Sequence, residues 1–205
     1  MLPARLEAEI RATPCPFRSL STYTGLIVQS HDQLPASRRA LADFCSDRAQ
    51  HNTTSFLLGV EPAVYGGKLA HFAALLERTL IPIIDSPGGR SWSATDWRLR
   101  IGGVDFFALA LLPDLPSRHP RRSLAMGVLL IQPESLFDAV GITTNGARPH
   151  YTATARKAFE RAQRDFVSSH EKHVPKQYRL LLDERYRPVP WWRGGSSGQG
   201  RPKAS

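Results

Sequence analysis

Apolar residues recur along this chain in two distinct periods. Leu69, Phe72, Ala73, Leu76 and Leu80 fall at helical spacing, which predicts an amphipathic helix. Leu41, Phe44, Cys45 and Arg48 share that spacing in a second helix, which opens over Asp32 to Pro35 with its proline near the first turn and runs to about Ala49. Short apolar runs at Thr24–Gln29, Thr53–Val60 and Ala125–Ile131 are rich in β-formers and predict buried strands. Trp97–Ile101 alternates apolar and basic residues, Gly102-Gly103 supplies a turn, and Val104–Leu112 continues as an apolar strand, so this stretch predicts a hairpin.

The flanks follow the same logic. A helix over Leu2–Arg11 must stop at Thr13-Pro-Cys-Pro16, because two prolines in three residues cannot sustain the helical ladder. Gln132-Pro133 closes a strand, and Glu134–Val140 is expected to form one or two helical turns. Thr152–His173 lacks glycine and proline, and Ala155, Phe159, Ala162 and Phe166 form one apolar stripe on a charged helix expected to pack across the sheet. The pattern predicts a single α+β domain over residues 1–188, a mixed, partly antiparallel sheet covered by helices. Residues 189–205 read as a flexible, basic, Gly/Ser-rich tail in which Trp191 and Trp192 are the side chains able to dock.

Composition narrows the class. The 205 residues suffice for a core that needs no disulfide scaffold, and the two cysteines, Cys15 and Cys45, exclude a four-cysteine zinc site. Cys45 sits on or beside an apolar helical face and reads as a packing residue. The net charge of +9 is thinly spread, and three of those charges belong to Arg193, Arg201 and Lys203 in the tail. With no dense Lys/Arg stripe interleaved with aromatics, the charge argues against nucleic acid as the partner. No run reaches the ~18 apolar residues of a membrane span, and Arg5, Glu7 and Glu9 interrupt the start, so a cytoplasmic protein without a membrane partner is expected.

Candidate chemistry gathers in one loop. Leu115-Pro-Ser-Arg-His-Pro-Arg-Arg-Ser123 joins two apolar strands and carries His119 with Arg118, Arg121 and Arg122. His119 can ligate a metal or haem iron as a neutral imidazole, and the arginines can clamp carboxylates, haem propionates included; the competing reading is a solvated basic turn. Cys15, held between prolines, is either a ligand thiol near a cleft or a passive packing group. Glu61 and Asp105 are strand carboxylates able to meet a cationic substrate. No nucleophile elbow, phosphate-binding glycine loop, dinucleotide fingerprint or His-Glu-x-x-His motif is present, so hydrolase, kinase and dehydrogenase readings lack their usual parts.

Several blocks in order carry a resemblance: Thr13-Pro-Cys-Pro-Phe17, Thr54-Ser-Phe-Leu-Leu58, Gly103-Val-Asp-Phe-Phe107, His119-Pro-Arg-Arg-Ser123, Ile131-Gln-Pro-Glu-Ser-Leu-Phe137 and the late Lys176-Gln177-Tyr178. Over about residues 12 to 185 the chain resembles the YqcI/YcgG family, with departures at Arg18, where glycine is expected, and at Leu124, where a basic residue is expected. The resemblance implies a haem-dependent oxygenase that N-hydroxylates a small guanidine-bearing substrate such as arginine, using b-type haem, molecular oxygen and an external reductant. It implies His119 as the leading iron ligand with Cys15 as the alternative, and a cofactor site that includes Phe17, Arg118, Arg121 and Arg122. Glu61 and Asp105 are then the expected acceptors for the guanidine. The alternative is a non-catalytic haem-binding or regulatory, partner-binding module.

Overall fold

The computed structural model describes residues 2–15, 18, 21–46, 53–85, 98–139, 142–143, 146–147, 149–166 and 180–193. A five-stranded sheet organises them: β1 (Tyr23–Val28), β2 (Ser55–Val60), β3 (Leu99–Ile101), β4 (Val104–Leu111) and β5 (Gly127–Pro133), in the spatial order β1-β2-β5-β4-β3. Only β1 and β2 run parallel; β2–β5, β5–β4 and β4–β3 are antiparallel. A parallel pair needs a crossover, and α2 (Leu34–Ser46), entered through a short 3-10 turn at His31–Gln33, supplies it. The fold is therefore a single-domain α+β arrangement on a mixed sheet, as the periodicity requires. A further small ladder pairs β6 (Ile142–Thr143) with β7 (Gly146–Ala147).

Strand alternation divides the core between the two faces. Phe56, Leu58, Val60, Leu129, Ile131 and Ala110 pack with Leu41, Phe44 and Cys45 of α2 and, past the short α3 (Pro62–Tyr65), with Phe72, Leu75, Leu76 and Leu80 of α4 (Leu69–Leu80). Leu57, Val128, Leu130 and Leu111 lie on the opposite face, under Leu6 and Ile10 of α1 (Ala4–Ala12) and Met126. Closeness of β1 and β2 demands Gly25: a Cβ there would lie 2.1 Å from the Leu57 carbonyl oxygen. The predicted hairpin forms, and Gly102 and Gly103 both take positive φ, 56° and 77°, the requirement of a tight two-residue turn. Asp85 caps it, accepting the Gly102 and Gly103 N–H groups at 3.0 and 2.7 Å.

Glu9 ties α1 to the sheet. Its buried carboxylate accepts three consecutive backbone N–H groups, from Leu124 at 2.6 Å, Ala125 at 2.8 Å and Met126 at 3.3 Å. Removing it leaves the N–H of buried Met126 without its acceptor and frees the loop at Leu124 and Ala125. Glu9→Ala is expected to lower stability by about 2 kcal/mol or more, read as a fall in the urea midpoint at unchanged m.

Three expectations are corrected. Strand β1 is an edge, half-buried except at Val28, because the sheet continues past it on one side only. The long helix stops at Arg161: α6 (Pro149–Arg161) gives way to a turn at Gln163, which takes φ 55°, and Ala162 is exposed rather than part of a buried stripe. Most described α6 side chains face solvent. The body also does not end at residue 188, since Val189 N–H donates to the Leu181 carbonyl at 2.9 Å and Trp191, in a 3-10 turn with Trp192 and Arg193, is fully buried against α4. Residues 194–205 of the expected tail, Arg48 and Lys176-Gln177-Tyr178 lie outside the described residues.

Candidate functional site

The 112–123 loop is built, not solvated. Its two ends are fastened together where Leu112 N–H donates to the Arg121 carbonyl at 2.9 Å and Ser123 N–H to the Leu112 carbonyl at 3.2 Å. Arg164, from the turn after α6, reaches in and donates to the Arg122 carbonyl at 2.6 Å and the His119 carbonyl at 3.3 Å. The basic-turn reading holds only for Arg118, which is exposed and donates through Nε and Nη2 to Asp165 at 3.2 and 3.0 Å.

His119 is fully buried, and both ring nitrogens are occupied. Nδ1 accepts the Arg121 backbone N–H at 3.0 Å, which places the proton on Nε2, where it donates to the Asp183 carbonyl at 3.1 Å. The ring stacks on Tyr186, centroids 4.8 Å apart and planes within 6°. Burial pushes the imidazole's pKa down to about 4, the hydrogen bond to the Asp183 carbonyl opposing it and the Arg121 charge adding to it, so the ring is neutral.

Tyr186 sits at φ 62°, a left-handed conformation that costs a tyrosine strain. The turn around Asp183 enforces it: the carboxylate accepts the Arg185 and Arg187 N–H groups at 2.9 and 2.8 Å and the Arg187 Nε at 2.7 Å, while Tyr186 N–H donates to the Asp183 carbonyl at 3.0 Å. Burial alone would raise the Asp183 carboxyl, but these donors together hold it below its ordinary value. The Tyr186 hydroxyl donates to Asp165, which lowers the Asp165 carboxyl, aided by Arg118, and raises the phenol. Tyr186, Asp165 and Asp183 complete the surroundings of His119 from a distant part of the chain. Sequence spacing held no sign of them; the left-handed turn that delivers them is a tertiary feature.

Two sequence candidates do converge. The Arg121 guanidinium is buried at its tip, and burial lowers its basicity to about 10 against the raising influence of the Cys15 charge. The half-buried Cys15 also acts on Tyr23, whose phenol is raised first by burial. Cys15 and the arginine loop thus influence one another, although about a hundred residues separate them.

The other candidates disperse. Arg122 donates to the Leu115 carbonyl. Glu61 already accepts a guanidinium: Arg5 of α1 pairs with it through Nη1 and Nη2. Asp105 pairs with Arg100 directly opposite it in the hairpin, at 2.8 Å on the exposed side. Neither carboxylate is open to a substrate in this arrangement, because each is satisfied by an arginine of the chain itself. Phe17 lies outside the described residues.

The donor set can be weighed against haem on this geometry. His119 does not fit as the iron ligand: no ring lone pair is available unless the Arg121 N–H or the Asp183 carbonyl is abandoned, and the ring has no exposure. Cys15 fits in chemical terms, being a partly exposed, reduced thiol, a residue type that ligates haem iron. Among the described residues no three His, Cys, Asp or Glu side chains form a metal-binding group, and no helix is long and apolar enough to cross a membrane. Comparison with protein-family models, with curated proteins and with solved structures found no match.

Proposed function

We propose that this protein is a cytoplasmic haem-dependent oxygenase that N-hydroxylates a small guanidine-bearing substrate, arginine or a derivative, using molecular oxygen and an external reductant. The observation that carries the reading is the electrostatic influence of Cys15 on the buried Arg121 guanidinium, which links the first and fourth blocks of the ordered resemblance. Haem, when bound, supplies the oxygen activation, so the protein needs no acid/base pair of its own. Cys15 is the residue that would hold iron, and Arg121 is the cation whose charge it influences. His119 acts differently from the sequence expectation: as a neutral, doubly bonded imidazole it fixes the backbone of Arg121 and so aims that guanidinium.

The test is titration of the purified protein with hemin. A Soret band that shifts on adding cyanide or carbon monoxide is expected in the parent and in His119→Gln, with loss or a marked shift in Cys15→Ser. A normal band in Cys15→Ser together with loss in a folded His119→Gln would return the iron to His119; no specific hemin binding in the parent would defeat the reading. Reduced haem protein incubated with oxygen and arginine should then give a product heavier by one oxygen atom in mass spectrometry.

A second reading, a non-catalytic haem-binding or partner-binding module, draws support from Arg118, Arg122, Glu61 and Asp105 all being engaged within the chain. Hemin binding without turnover across guanidines would select it.

A further inference from the structure

The turn that brings Arg164 and Asp165 to the 112–123 loop is the end of α6, and it fixes where that helix stands. Asp165 N–H donates to the Arg118 carbonyl at 2.7 Å, and Arg164 N–H closes the turn on the Phe159 carbonyl at 2.9 Å. The helix follows the small β6–β7 ladder, which is entered from α5 (Glu134–Ala139). At about 100° per residue, the half-buried Ala155, Ala158 and Phe159 fall on one side of α6 and the exposed Arg156, Lys157, Glu160 and Arg161 on the other. The charged side of α6 is thus turned to solvent next to the loop that bears Arg121.

Among the described residues no carboxylate, Glu160 included, lies within ion-pair distance of Arg156, Lys157 or Arg161. Lys157 and Arg161 stand one helical turn apart, a like-charged spacing that weakens a helix rather than supporting it. Arg156 is held in place: its guanidinium lies over the Phe166 ring, 5.6 Å from the centroid, and Phe166 meets Phe159 edge-on at 5.6 Å. A guanidinium stacked by its face keeps its N–H donors at its edge, where a carboxylate can accept them.

Glu160, in the middle of this face, separates the classes of anionic partner. A phosphate backbone or an anionic lipid surface would meet that carboxylate with uniform negative charge. A protein surface with carboxylates arranged around a base complements the whole face. The oxygenase reading calls for an electron donor, and such a donor has to dock near the cofactor.

We infer that the exposed face of α6, formed by Arg156, Lys157 and Arg161 around Glu160, docks an acidic electron-transfer protein as the external reductant. The choice of partner rests on the oxygenase reading, and the surface is tested without haem. An acidic two-iron ferredoxin and an acidic flavodoxin are titrated into the full chain by calorimetry. At least one is expected to bind, more weakly as NaCl rises from about 0.05 to about 0.5 M. Arg156→Glu combined with Arg161→Glu should weaken that binding roughly tenfold or more. Arg39→Glu combined with Arg78→Glu makes the same change in net charge at exposed positions of α2 and α4, and should leave affinity within about twofold. Thermal melting establishes that each variant is folded, and Lys157→Glu, away from the Phe166 stack, serves should Arg156→Glu disturb the turn.

Parent-like affinity in the folded α6 variants, equal loss in the α2 and α4 control, or no binding of either probe overturns the inference. So does tighter, α6-dependent binding of duplex DNA or of phosphatidylserine-rich vesicles. Hemin binding without α6-dependent docking removes this surface and leaves the oxygenase reading. Docking through α6 without any hemin binding keeps the surface and defeats that reading.

Discussion

Trp191→Ala is expected to cost about 3 to 5 kcal/mol, among the largest effects of any single substitution in this chain. Trp191 is the largest of the fully buried side chains; it packs against α4 and meets Trp192 edge-on at 5.9 Å. Its removal leaves a void lined by α4 side chains whose own rotamers are fixed by the sheet below, so little of the space can close. Urea denaturation should show a lower midpoint at similar m, and deletion of residues 189–205 should destabilise at least as much. Deletion of residues 194–205 alone should leave the melting temperature unchanged, because glycine, serine and scattered cations there offer little apolar surface to bury. A parent-like midpoint for Trp191→Ala would show that this indole does not belong to the core.

His119 is expected to make the protein acid-sensitive over a window well above that of its carboxylates. The folded pKa of about 4 lies below the ordinary 6.5, so between those values the unfolded chain binds a proton that the folded chain refuses. Stability from this group is therefore fully present above about pH 6.5 and is lost as pH falls toward 4, by about 3 kcal/mol in total. The structural cause is plain: a proton on Nδ1 would face the Arg121 N–H, donor against donor, in a ring with no access to water. Asp165 and Asp183 have lowered pKa values, so their contributions are present above the ordinary 3.8 and disappear only as pH falls below it, a separate and lower window. Melting temperature against pH from 7 to 4 should fall steeply in the parent and be nearly flat in His119→Gln, whose amide can both donate and accept but cannot titrate. His119→Ala should lose about 3 kcal/mol near neutral pH through two abandoned hydrogen bonds and the lost stack on Tyr186. A parent-like acid slope in His119→Gln would reassign the transition to other groups.

Local pattern determined much of this molecule. Strict spacing at Leu69, Phe72, Ala73, Leu76 and Leu80 needed no partner to define α4, and Gly102-Gly103 defined its hairpin because few other residues tolerate two successive positive φ angles. All-buried runs defined β2 and β5 to within two residues at each end. The α+β class followed from that order of elements. Periodicity overreached where packing decides: Ala155, Phe159, Ala162 and Phe166 have helical spacing, yet the helix ends at Arg161, and Ala162 remains exposed.

The site was legible only as residue types. The cysteine block and the arginine loop were visible as candidate chemistry, but which groups were available was decided by partners remote in sequence. Arg5 takes Glu61, Arg100 takes Asp105, and the Asp183–Arg187 turn closes on His119. Whether a polar side chain is a ligand or a structural clamp depends on the number of its lone pairs and protons already engaged, a count that includes atoms from the whole fold. Sequence by itself set the strands, the helices and the presence of Cys15, His119, Glu61 and Asp105. The tertiary structure decided that His119 is saturated, that Cys15 acts on Arg121, and that Glu61 and Asp105 are taken by arginines, because desolvation and hydrogen-bond geometry arise only when distant segments are brought into contact.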